Sequence, residues 1–98
     1  LWAQIKMADV VITLKIMPES PETDISLIEK KAKNEIKRFA GESEFRVAVE
    51  PVAFGLKSLS ITFVMDESKG STEKLEQKIR DIENVSSAEV VDVRRAIG

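Results

Sequence analysis

Ser58-Leu59-Ser60-Ile61-Thr62-Phe63-Val64-Met65 decides the fold. Leu59, Ile61, Phe63 and Met65 alternate with Ser58, Ser60, Thr62 and Val64, and this period of two with an apolar face is the pattern of a half-buried strand. Working outward, Asp66-Glu67-Ser68-Lys69-Gly70 is a polar turn after it. Ser71 or Thr72 then caps a helix whose inner face is Leu75, Ile79 and Ile82. Val85-Ser86-Ser87-Ala88 leads from that helix into a last strand, Glu89–Arg94. On the N-terminal side, Glu44–Val49 alternates with Phe45, Val47 and Val49 inward. Pro51 donates no ladder hydrogen bond and marks an edge or a strand end. Before that, Ile25, Ile28, Ala32, Ile36 and Phe39 recur at helical spacing with charged residues between them, an amphipathic helix capped by Thr23 or Asp24 and closed by Gly41. The first strand is Val10–Ile16, with Val10, Ile12, Leu14 and Ile16 on one face, and Met17-Pro18-Glu19-Ser20-Pro21 stops it.

The order is therefore β-α-β-β-α-β. This pattern predicts an α+β fold, a ferredoxin-like split β-α-β sandwich with a four-stranded antiparallel sheet and both helices on one face. The other face stays at least partly exposed, as an antiparallel sheet permits. No linker, repeat or low-complexity tract divides the chain. Residues 7–98 are expected to form one domain, with Leu1-Trp2-Ala3-Gln4-Ile5-Lys6 as a vector-derived or read-through tail before Met7. That segment is too short and too polar for a signal peptide.

Composition narrows the chemistry. The 98 residues are 43% hydrophobic and 33% charged, a globular composition with more charge than usual. No histidine, cysteine or tyrosine is present. Disulfides, thiolate zinc sites, iron–sulfur clusters and His-dependent hydrolase triads are thereby excluded. Any enzyme would have to run on Asp, Glu, Lys, Arg, Ser or Thr, which favours a binding module. Fifteen Lys and Arg against 17 Asp and Glu give a net charge of −2, not the basic footprint of a nucleic-acid binder. No apolar run approaches the roughly 20 residues of a membrane span. High Lys and Glu with scarce Asn and Gln is a bias shared with hyperthermophile proteins.

Few residues suggest a site. Phe54-Gly55 lies between two strands, where a polar hairpin loop is expected. From spacing alone, Phe54 is expected to fold into the core with Gly55 supplying the turn; the alternative is an aromatic held out as an interface anchor. Arg94 and Arg95 are a solvated charged end or a guanidinium contact to an acidic or phosphate-bearing partner. Being adjacent in an extended segment, they point to opposite faces. Asp66-Glu67 reads as a solvated turn, because no third acid is spaced to complete a metal site. Asp92 is expected to pair with a neighbouring Lys or Arg. Phe45 and Phe63 read as core, so the stacking aromatics of an RNA-recognition sheet are missing. Gly55 and Gly70 are isolated, and no Gly-rich phosphate loop exists.

From Met7 onward the chain resembles the archaeal elongation factor 1-beta family and, more distantly, the C-terminal exchange domain of the eukaryotic elongation factor 1-beta and 1-delta subunits. The resemblance rests chiefly on Val49-Glu50-Pro51-Val52-Ala53-Phe54-Gly55-Leu56-Lys57-Ser58-Leu59-Ser60-Ile61. Glu22-Thr23-Asp24-Ile25 and Val85-Ser86-Ser87-Ala88-Glu89-Val90 support it. It implies a ferredoxin-like fold and a guanine nucleotide exchange factor, not an enzyme, whose partner is the GTPase elongation factor 1-alpha. It implies no cofactor or bound metal, no direct nucleic-acid or membrane contact, and a cytoplasmic location. It makes Phe54, Gly55, Lys57, Arg94 and Arg95 the partner-binding candidates. Phe54 falls where the family places an aromatic in the loop that meets the GTPase. Arg95 falls where eukaryotic members carry a lysine that reaches towards the magnesium site, with Arg94 one register off. Arginine there is a departure, since a planar guanidinium is not a compact point charge. The extra N-terminal regions of the eukaryotic subunits have no counterpart in this chain, which makes it a minimal exchange module on this reading. The alternatives are a small-molecule-binding regulatory domain of the same topology and an RNA-binding module. An acylphosphatase-type enzyme would need an arginine-bearing phosphate loop after the first strand, and Met17–Pro21 offers none.

Overall fold

The computed structural model describes residues 9–41 and 44–95; Trp2 and the rest of the expected tail lie outside them. The elements run β1 (Asp9–Pro18), α1 (Ile25–Ala40), β2 (Arg46–Pro51), β3 (Lys57–Asp66), α2 (Glu73–Arg80) and β4 (Val85–Arg95). One four-stranded sheet has the order β2-β3-β1-β4, antiparallel throughout. This is the expected ferredoxin-like α+β sandwich.

Its core follows from the alternation. Ile12, Leu14 and Ile16 of β1 and Leu59, Ile61 and Phe63 of β3 are buried on the sheet face that meets Ile28, Ala32 and Ile36 of α1 and Leu75 and Ile79 of α2. Each of the large side chains contributes about 1.5–3 kcal/mol by leaving water. Phe45 is half-buried beneath α1, where the Lys33 ammonium sits 5.8 Å from its ring centre. The opposite sheet face carries polar pairs such as Thr13 and Thr62, whose hydroxyls are 3.1 Å apart. Asp24 caps α1, its carboxylate accepting from the Ser26 and Leu27 amides at 3.0 and 3.3 Å.

Several boundaries differ from the sequence reading. The last strand begins at Val85, not Glu89. Its pairing with β1 shifts register between Thr13 and Leu14 and between Met17 and Pro18, and the second of these places buried Val85 and Ala88 three residues apart. Pro18 ends β1 as a paired, buried residue opposite Val85. Pro51 likewise belongs to β2, opposite Lys57 on the edge of the sheet. α2 stops at Arg80, and Ile82 packs against the core from the following turn, its amide donating to the Ile79 carbonyl at 3.0 Å. Val49, expected inward, is 46% exposed.

Candidate functional site

The connection between β2 and β3 is a tight hairpin. The Val52 amide donates to the Leu56 carbonyl at 2.8 Å, and the Leu56 amide donates back to the Ala53 carbonyl at 3.3 Å. Closing so short a loop takes two consecutive residues with positive φ, Phe54 at 63° and Gly55 at 76°. Glycine holds this conformation freely, whereas an L-residue with a Cβ loses about 1–2 kcal/mol in it. The turn leaves the Phe54 ring in solvent, at 93% exposure, against 58% for Val93, the next most exposed large apolar residue described. This corrects the core position expected from spacing: the ring is held out on the loop, because the left-handed turn points it away from the sheet. Among the described residues the ring is left almost fully exposed, so burial does not offset the strain of the turn.

Beside this hairpin lies an open groove of about 370 Å³, bounded by the β1–α1 connection, the first turn of α1, and the adjoining ends of β2 and β3. Pro18, Pro21, Ile25 and Val49 give it apolar walls, and Glu29 and Lys57 bring charge to its rim. A Cβ on Gly55 would stand 3.8 Å from the Pro21 ring, so hairpin and groove form one surface.

The C-terminal arginines lie at the other end of the sheet. Arg95 pairs in register with Val10, and Val10 with Met65, so Arg95 is on the helix side of the sheet; Arg94 pairs with Val11 on the open side. The two faces are opposite, as expected. Arg94 Nε lies 3.0 Å from Asp92 Oδ2 in an ion pair, the neighbour expected for Asp92. Arg95 Nη2 is 3.1 Å from Glu67 Oε2, in the turn after β3. Lys57 and Met65 are eight residues apart along β3, which at strand rise separates the hairpin from Arg95 by about 25 Å. The five candidate residues thus form two clusters, Phe54, Gly55 and Lys57 at one end and Arg94 and Arg95 at the other.

Residues 11–96 match the family described as the EF-1 guanine nucleotide exchange domain. The chain belongs to that family. Curated relatives named elongation factor 1-beta agree with the assignment. The protein of Methanosphaera stadtmanae is 42% identical over 89 residues, covering 91% of this chain and 98% of the relative. That of Nanoarchaeum equitans is 42% identical over 83 residues, covering 85% and 100%. Among solved structures, a de novo designed protein, Foldit4, superposes with a TM-score of 0.60 at 20% identity, covering 92% of this chain and 98% of that one. The ACT domain of a GTP pyrophosphokinase from Chlorobium tepidum gives 0.56 at 17%, covering 88% and 90%. These two likenesses establish the fold alone.

Two features of the exchange domain escaped the sequence reading. Glu67 appeared only as half of an acidic turn, because its partner Arg95 is 28 residues later and two strands away. Glu76, which the sequence reading did not single out, has a side chain only 14% exposed. One of its carboxylate oxygens accepts the Val90 amide of β4 at 3.2 Å, and the other accepts the Thr72 hydroxyl at 3.1 Å. Among the described residues, no group of three or more His, Cys, Asp or Glu side chains is placed to hold a metal ion.

Proposed function

We propose that this protein is a guanine nucleotide exchange factor of translation elongation that acts on the GTPase elongation factor 1-alpha. Family membership supports the exchange role, and the relatives named elongation factor 1-beta support the assignment to translation elongation; the partner is the one the family resemblance implies. The observation that carries the reading down to residues is Phe54, an aromatic held out on a strained turn within the family-matched segment. A factor of this kind does no covalent chemistry. It shifts a population, binding the nucleotide-free GTPase better than the GDP-bound form. The coupling is reciprocal: a factor that weakens GDP a hundredfold is itself weakened a hundredfold by GDP, about 2.7 kcal/mol of coupling.

On this reading residues 7–98 act as one exchange unit, working in the cytoplasm where the partner works. Phe54 anchors one region of the GTPase, with Gly55 shaping the turn and Lys57 on the adjoining rim. Arg95 reaches the acidic surroundings of the GTPase magnesium site from the other end, with Arg94 turned away from it. The test is release of fluorescent GDP from loaded elongation factor 1-alpha. Release accelerates with added protein and saturates; unchanged release at saturating protein rules the proposal out. In that event, stabilisation by a free metabolite in a thermal-shift screen would support the regulatory-domain alternative.

A further inference from the structure

The two C-terminal arginines are held in different ways. Arg94 pairs with Asp92, two residues away on its own strand. Arg95 instead reaches from the edge strand β4, past the N-terminal end of β1, to Glu67 beyond the end of β3. The turn that carries Glu67 is itself fixed. The Asp66 carboxylate accepts the Ser68 amide at 2.8 Å, and the Gly70 amide donates to the Glu67 carbonyl at 3.2 Å. Glu67 thus projects from a turn with a fixed backbone, and its side chain is 42% exposed against 75% for Arg95. A pair this wet adds little to stability. Its effect is on where the arginine points. An unpaired arginine at a strand end samples many rotamers, and binding must order them. Glu67 orders them beforehand. A planar guanidinium has five N–H donors, so a carboxylate or phosphate oxygen of a partner can engage Arg95 while Glu67 still holds it.

We propose that Glu67 is a positioning residue for Arg95, holding its guanidinium across the end of the sheet so that it meets an acidic group of the partner with its side chain already ordered. The inference rests on the reading of Arg95 as a partner contact. The experiment is a double-mutant cycle in the GDP-release assay, with Arg95→Ala, Glu67→Ala and the double variant titrated against the GTPase, and thermal midpoints measured alongside. Glu67→Ala is expected to raise the half-saturating concentration about two- to fivefold, the size of an exposed ion pair, with an unchanged midpoint. In the Arg95→Ala background it is expected to do nothing more. Glu67→Gln keeps an acceptor without the charge and is expected to fall between wild type and Glu67→Ala. If Arg95→Ala itself leaves exchange unchanged, the arginine is not a contact and the underlying reading fails. If Arg95→Ala slows exchange while Glu67→Ala does not, or Glu67→Ala acts equally with Arg95 absent, the arginine reading stands and the positioning role is overturned.

Discussion

Phe54 combines two costs that a folded chain normally avoids, a left-handed backbone and a bare aromatic ring, and separate substitutions can distinguish them. Truncating a buried phenylalanine to alanine costs about 3–5 kcal/mol. At 93% exposure there is almost no burial to lose, so Phe54→Ala is expected to leave the thermal midpoint nearly unchanged and to slow GDP release strongly. A large drop in midpoint would mean that the ring is buried in solution. Gly55→Ala tests the backbone. Its Cβ has room, with only the Pro21 ring at 3.8 Å, so the expected loss of about 1–2 kcal/mol comes from φ at 76° alone. Equal stability of Gly55→Ala and wild type would show that the turn relaxes. Spacing favoured the core for Phe54 and was wrong, because the outcome depends on the left-handed backbone of Phe54 and Gly55, and no periodicity encodes that. The apolar letters around it, Val52, Ala53 and Leu56, are as consistent with a buried crossing as with a hairpin. The family resemblance favoured the exposed position, and the turn geometry supplies the reason.

Among the elements, alternation located β1 and β3 well because both are central strands with one buried face, where a slip of one residue would bury the wrong set. It served β4 poorly. Two bulges interrupt its period, so its first four residues read as a connection. As an edge strand, β4 also has a side that no other strand covers, and such an edge invites pairing with another chain. α2 covers part of it with side chains. Glu76 accepts the Val90 amide, while Arg80 Nε donates to the Ala88 carbonyl at 3.1 Å and its Nη2 lies 3.7 Å from Glu76. The sequence reading singled out neither residue, because the apolar stripe of the helix does not reveal the strand edge beside it. Glu76→Ala leaves a half-buried amide without its acceptor, a loss of about 1–3 kcal/mol. For a domain of this size the midpoint should fall by several degrees, roughly 4–8 °C per kcal/mol. Glu76→Gln, which keeps an acceptor, should lose less. The Glu76→Ala, Arg80→Ala double variant is further expected to self-associate with rising concentration in light scattering, through the uncovered edge. A wild-type midpoint for Glu76→Ala would show that water replaces the carboxylate and that the edge is not closed by it.

The molecule is elongated, 41 Å along its longest axis against 22 and 18 Å across, and its two candidate clusters sit towards opposite ends of the sheet. The sequence places Phe54 and Arg95 on different elements but cannot tell how far apart they are. That distance is set by the antiparallel order, which brings the β2–β3 hairpin to one end and the last residue of β4 to the other. A partner that meets both must span about 25 Å of sheet, the reach of a domain and not of a loop. Sites this far apart with no shared contacts contribute independently, within about 0.3–0.5 kcal/mol. The rate losses of Phe54→Ala and Arg95→Ala should therefore multiply in the double variant, in contrast to the Glu67 and Arg95 pair, where the second change should add nothing. Arg94→Ala should cost less than Arg95→Ala, because its pairing with Val11 turns it to the open sheet face. The two ends should also differ in their response to ions. Loss of Arg95 should flatten the dependence of exchange on salt, since an exposed charge contact is screened, whereas loss of the Phe54 ring should not. Raised magnesium should suppress the wild type more than Arg95→Ala if the guanidinium acts at the metal site, and Arg95→Lys should retain much of the wild-type activity. Equal magnesium sensitivity in wild type and Arg95→Ala would remove the arginine from that site and leave the Phe54 end to carry exchange by itself. A double variant no slower than the worse single one would instead show that the two ends act through one contact, against the separation that the sheet imposes.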